Sequence, residues 1–104
     1  MNEIIKSPLF INWLSRQDSN IVKRVNATLL KMEGGNLGDH KQIDAELHEA
    51  RIHIHSGIRL YYMWHGKEII LLLAGGNKAS QSKDIEKAKE MIERIKEDIS
   101  WTIN

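Results

Sequence analysis

The spacing of apolar positions along this chain switches from helical to alternating and back to helical. After Ser7-Pro8, the residues Leu9, Phe10, Trp13 and Leu14 recur at helical spacing. Ser7 suits the N-cap and Pro8 the first helical position, where its missing N–H leaves nothing unpaired. The preceding "NEII" reads as a short strand. Ile21, Val25, Leu29 and Met32 share one face of a second helix, with Asp18 or Ser19 to cap it. Gly34-Gly35 ends it, because glycine takes the left-handed conformation that a helix C-terminus often needs. The pair reads as an α-hairpin, and the polar, glycine-rich "GGNLGDHKQID" as the loop after it.

Alternation then takes over. "AELHEARIHIH" sets Ala50, Ile52 and Ile54 on one side and Glu49, Arg51, His53 and His55 on the other. Beyond the Ser56-Gly57 turn signal, "IRLYYMWH" sets Leu60, Tyr62 and Trp64 against Arg59, Tyr61 and Met63. His65-Gly66-Lys67 turns again, and "EIILLLA" is a near-continuous apolar strand ending at Gly75-Gly76, the kind covered on both faces. Three strands at hairpin spacing predict an antiparallel meander. Helical spacing returns with Ile85, Ala88, Ile92, Ile95 and Ile99, with Ser80 or Ser82 as cap and Asp84 at the positive end of the helix dipole. Trp13 and Trp64 are expected in the core, and Trp101 as a cap of the last helix or a partner contact. The predicted fold is α+β: two N-terminal helices and a C-terminal helix packed on one face of a small, mainly antiparallel sheet, with residues 1–104 as a single domain.

Composition narrows the chemistry. The 104 residues include no Cys, which excludes disulfides, thiolate metal sites and cysteine nucleophiles. No window approaches the roughly 20 apolar residues of a membrane span. "MNEIIKSPLF" carries Glu3 and lacks the basic region and long apolar run of a signal peptide, so a soluble cytoplasmic protein with no membrane partner is expected. Fifteen Lys and Arg against fourteen Asp and Glu leave a net charge of +1, so a nucleic-acid partner would have to be met by a local patch.

Such a patch is available. With the apolar faces against the helices, the other sheet face is left to Glu49, Arg51, His53, Arg59 and Tyr61. Lys78 leaves the sheet near the same rim, and the preceding loop supplies His40 and Lys41. Arg and Lys neutralise a phosphodiester, Tyr exchanges a proton or hydrogen-bonds, and aromatic rings stack on bases. The plainer reading is a solvated sheet face. His53 and His55, two apart on a strand, would also suit two metal ligands with Glu49 or His65 as a third, or an acid–base pair, although a surface pair is the simpler account. "GGNKAS" is not a P-loop, since Asn77 stands between Gly76 and Lys78.

The succession "GNLGDHK", "EARI", "GIRLYYMW" and "IILLLAGGNKASQSKDIEKA" resembles the killer-protein branch of the RelE/ParE toxin superfamily, close to its HigB-type and phage-derived addiction-module toxins. The resemblance runs from "FINWL" to the last helix, and its most specific part is the pattern made by Gly76, Lys78, Gln81, Asp84, Ile85 and Ala88. Ala50 departs from the larger apolar residue usual there. The resemblance implies a RelE-like fold and a microbial type II toxin held inactive by a cognate antitoxin. That antitoxin is commonly a helix-turn-helix protein through which alone operator DNA would be reached. It implies an mRNA endoribonuclease, often ribosome-associated, that cleaves by 2′-hydroxyl attack on the adjacent phosphate and uses no cofactor and no metal. Carried over by position, Arg51 and Arg59 would grip the scissile phosphate and Lys78 would add charge, with Tyr61 stacking on a base or sharing in proton transfer. Lys41, His40 and Gln81 are the RNA-binding candidates, His40 also as acid or base and Gln81 with a possible role in the strand-to-helix joint. Within the superfamily the alternatives are a ParE-like poison of DNA gyrase and an inactive toxin retained for antitoxin binding and promoter co-regulation. The Arg51, Arg59 and Tyr61 cluster favours the ribonuclease.

Overall fold

The computed structural model describes residues 1–55 and 57–98. Ser56 of the expected turn, Ile99 of the helical stripe and Trp101 lie outside the described residues. In chain order the elements are β1 (Glu3–Lys6), α1 (Pro8–Ser15), α2 (Ser19–Glu33), β2 (Asp39–Gln42), β3 (His48–Ile52), β4 (Ile58–His65), β5 (Ile69–Asn77) and α3 (Gln81–Glu97). The fold is α+β, with three helices on a five-stranded sheet of order β1-β5-β4-β3-β2. All neighbours are antiparallel except β1, which runs parallel to β5.

The N-terminal caps form as their residues predict. Ser7 Oγ accepts from the Phe10 N–H at 3.0 Å and donates to the Leu73 carbonyl at 2.8 Å, so the cap of α1 is also its tie to β5. Asp18 caps α2, accepting from the Ile21 N–H at 2.9 Å. At its end Gly34 is the C-cap with φ −81° and the left-handed residue is Gly35. For α3 neither expected serine cap is realised: Ser80 stands at the N-cap without a side-chain bond to the helix backbone. Its hydroxyl donates instead to Asp84 Oδ2 at 2.6 Å and accepts from the Asn77 N–H at 3.2 Å.

The helices do not share one sheet face. Helices α1 and α2 cover the face of Ala50, Ile52, Leu60, Tyr62, Ile70 and Leu72 with Phe10, Val25, Leu29 and Met32. Helix α3 covers part of the other with Ala88 and Ile92 against Tyr61, Met63 and Ala74. A break in register at Tyr61/Tyr62 in the β4–β5 pairing accompanies this second core. Alternation finds two faces in each strand but does not say which has a helix over it. The apolar run "IILLLA" is explained by burial on both sides, and each fully buried large side chain contributes roughly 1.5–3 kcal/mol. Trp13 and Trp64 are partly buried and pack against the first core.

Two further departures reshape the site. β2 lies inside the expected loop: its sequence "DHKQ" is exposed at every position, so an edge strand carries no apolar alternation to announce it. β5 runs through Gly75-Gly76 rather than stopping before them. A Cβ at Gly75 would enter the indole of Trp13 on one face, and a Cβ at Gly76 would strike the Asp84 carboxylate on the other. The glycine pair is where α1 and α3 both press onto the same strand.

Candidate functional site: a clamp of two arginines

Register builds the site in two rows across the sheet, on the face that α3 covers only in part. Asp39, Arg51, Arg59 and Gly76 are successive cross-strand partners, followed by Lys41, Glu49, Tyr61 and Ala74. α3 lies over the second row, and its first turn reaches Gly76 in the first. The arginines remain at an open end, where a cleft of about 490 Å³ is lined by Arg51, His53, His55, Gly57, Arg59 and Lys78, with Ile52 and Ile58 behind.

Two like charges directly opposite one another on neighbouring strands repel. Glu49 lies between them and only 1% exposed. Its Oε2 is 3.3 Å from Arg51 Nε, its Oε1 is 3.7 Å from Arg59 Nε, and Oε1 also accepts from Gln81 Nε2 at 2.9 Å. Arg59 is 13% exposed and donates from Nη1 to the Gly57 carbonyl at 3.2 Å, whereas Arg51 is 34% exposed and reaches Asp39 at 4.0 Å. Two arginines stand against two carboxylates, Glu49 beneath them and Asp39 at the rim, and Lys78 adds a further cation on the cleft wall.

The backbone that carries Lys78 is held by reciprocal bonds. Asn77 N–H donates to Ser80 Oγ at 3.2 Å, and Ser80 N–H donates to Asn77 Oδ1 at 3.0 Å. Lys78 is thus an exposed residue on a fixed turn, lining the same cleft as the arginines.

Several expected site residues fall elsewhere. Tyr61 is fully buried beneath α3, so its ring offers no base-stacking face. Burial first, then the Glu49 and Asp84 carboxylates, raise its hydroxyl pKa against the opposing charge of Arg59, which keeps the proton on. His40 pairs with Ala50 and Lys41 with Glu49, so alternation sends His40 to the face opposite Lys41 and away from the cleft. Lys41 shares the arginine face at the exposed sheet edge without lining the cleft. Gln81 touches Glu49 rather than the cleft. β3 ends at Ile52, and His55 has φ +50°, so the strand spacing argument for His53 and His55 does not apply, although both line the cleft. Glu49, engaged by two arginines and a glutamine, is no third metal ligand, and among the described residues no group of three or more His, Cys, Asp or Glu could hold a metal ion.

The chain is 34% identical over 93 residues to a Haemophilus influenzae protein described as an uncharacterized protein, a match covering 88% of this chain and 94% of that one. The two belong to one family. No family model matches the chain. At 93 matched residues the family relationship extends over nearly the whole fold rather than one element of it. Among the described residues no helix is long and apolar enough to cross a membrane.

Sequence reasoning undervalued two residues, Glu49 and Asp39. Asp39 accepts from or pairs with His53 Nε2 and faces Arg51, and the His53 hydrogen bond is the largest cause lowering its pKa below the ordinary 3.8. The signal for Glu49 was its place two residues before Arg51 on one strand, on the same side. Its burial was not readable until α3 was placed over that side.

Proposed function

We propose that this protein is the toxin of a type II toxin–antitoxin pair, an mRNA endoribonuclease acting by 2′-hydroxyl attack on the neighbouring phosphodiester. The observation that supports this reading is the pair Arg51 and Arg59, opposed in register and opening with Lys78 onto one cleft. As the 2′-oxygen attacks phosphorus, negative charge builds on the non-bridging oxygens, and guanidinium groups already in place stabilise it without reorganisation. The P–O5′ bond breaks, leaving a 2′,3′-cyclic phosphate and a 5′-hydroxyl. The attacking hydroxyl must lose a proton and the leaving oxygen must gain one. Imidazole suits both tasks near neutrality, and His53 and His55 are the imidazoles at this cleft. Asp39 orients His53 through Nε2. Tyr61 is assigned no contact with RNA in this scheme.

The ribosome and a cognate antitoxin are the partners proposed with this function. With a net charge of only +1, attraction to RNA would depend on the cleft and its surroundings. The test is 5′-end mapping of cellular mRNA shortly after induction of the protein without antitoxin, beside an Arg51→Ala/Arg59→Ala control. New 5′-hydroxyl ends in translated frames, absent from the control, are the expected result. Growth arrest with intact mRNA would overturn the ribonuclease and direct attention to gyrase, and no arrest would indicate an inactive toxin.

A further inference from the structure

Among the described residues Glu49 is the one charged side chain that is buried, and it does not line the cleft. It meets both arginines at Nε, the inner edge of the guanidinium. At 3.3 and 3.7 Å these are ion-pair approaches rather than aligned hydrogen bonds, and both Nε atoms are buried. Apart from the Arg59 Nη1 bond to Gly57, the terminal nitrogens of the two arginines make no hydrogen bond among the described residues. Glu49 is itself held from α3 by Gln81.

We propose that Glu49 is a positioning residue for the arginine clamp: its carboxylate holds Arg51 and Arg59 by their inner edges, and Gln81 holds the carboxylate, so that the outer edges face a phosphodiester. The proposal rests on the nucleolytic reading of the cleft and explains how two cations stay side by side there. A carboxylate beneath them offsets their mutual repulsion, and Arg51, Arg59 and Lys78 against Glu49 and Asp39 still leave the cleft net positive toward a phosphodiester. Gln81 is an uncharged donor, so it fixes Glu49 without changing that balance. A lysine at this position would compete with the arginines for the same carboxylate. The match of Gln81 to the strand-to-helix pattern thus acquires a physical role: it is the point where α3 sets the geometry of the clamp.

Glu49→Gln removes the carboxylate that faces both arginines and so changes charge and geometry together, so Gln81→Leu carries the test. Affinity for a 2′-O-methyl RNA oligonucleotide, which binds but cannot be cleaved, is measured for the full chain and in an Arg51→Gln/Arg59→Gln background, whose amides can still hydrogen-bond Glu49 and whose fold is checked by thermal unfolding. The expected result is a dissociation constant weakened roughly tenfold by Gln81→Leu. The same substitution has no effect in the background without arginines, because Gln81 acts only through them. An unchanged affinity, or an equal loss in both backgrounds, would overturn the proposal. Exchange of the Arg51 and Arg59 Nε–H protons, followed by NMR, gives a readout that needs no RNA. If the wild-type chain binds no oligonucleotide, the nucleolytic reading fails separately. Faster Nε–H exchange in Gln81→Leu then still supports positioning, and unchanged exchange overturns it.

Discussion

Arg59 and Lys78 face the same cleft, yet their substitution should have different consequences. Lys78 is exposed and makes no ion pair among the described residues, so Lys78→Ala is expected to leave stability within about 0.5 kcal/mol while lowering cleavage. Arg59 is mostly buried and helps neutralise Glu49, so Arg59→Ala should lower stability by about 1–3 kcal/mol besides impairing the reaction. The expected loss in cleavage for Arg59→Ala is on the order of a hundredfold, the usual scale for removing one preorganised donor from a transition state. Thermal unfolding and single-turnover cleavage, run on the same preparations, separate the two effects. Equal stability losses for the two variants would contradict the burial argument. At this scale the sequence was informative about residue type and side of strand. It was silent about depth, which is why Tyr61 looked available for stacking and Glu49 looked like surface.

The joint between β5 and α3 carries the most information at the scale of elements. Gly75 lies under Trp13 from α1, and Gly76 lies under Asp84 of α3 and Ser80 at its N-cap. Gly76→Ala must push the first turn of α3 outward, and such overpacking costs about 2 kcal/mol or more. For a chain of this length that corresponds to a thermal midpoint lower by roughly 8–16 °C. The same displacement would pull Gln81 from Glu49, so RNA affinity should fall with stability. A Gly76→Ala protein with wild-type melting would show that α3 is not seated as described. The glycines, Asp84 and Gln81 were all visible as a pattern in the chain, but the pattern could not show that each glycine accommodates a different helix. β2 illustrates the opposite difficulty, since a strand exposed at every position has no hydrophobic period to read.

For the whole molecule, linkage to protons and salt should be measurable. His48 stacks on Tyr62 with ring centroids 5.3 Å apart, and burial first, then the charge of His40, lowers its pKa below the ordinary 6.5. A histidine kept neutral in the fold binds its proton more readily when unfolded. Its contribution is therefore complete above pH 6.5 and is lost as pH falls below that value toward the folded pKa. Tyr62 has the opposite limb: burial pushes its hydroxyl from 10.0 up to about 12, so stability is lost as pH rises through that interval. Tyr61, raised in the same direction, adds to that alkaline limb, and on the acid side His48→Gln should flatten the slope just below pH 6.5. An identical acid slope in that variant would remove His48 from the account. Binding of single-stranded RNA should weaken with salt at a logarithmic slope of about −2 if Arg51, Arg59 and Lys78 are its three phosphate contacts. A slope near zero would remove the electrostatic basis of the proposed function.

The sequence by itself determined the α+β class, the two N-terminal helices and their caps, the three-strand meander and the side of each strand on which Arg51 and Arg59 lie. These depend on local matters: side-chain period, capping groups and turn residues. Only the tertiary structure decided that α3 packs on the face opposite α1 and α2, that an all-polar segment completes the sheet edge, and that His40 and Lys41 part company. It also decided that Glu49 sinks beneath two arginines while Tyr61 disappears under a helix. Those outcomes depend on which surface each helix reaches across many intervening residues, and no spacing within one strand encodes what will be laid over it.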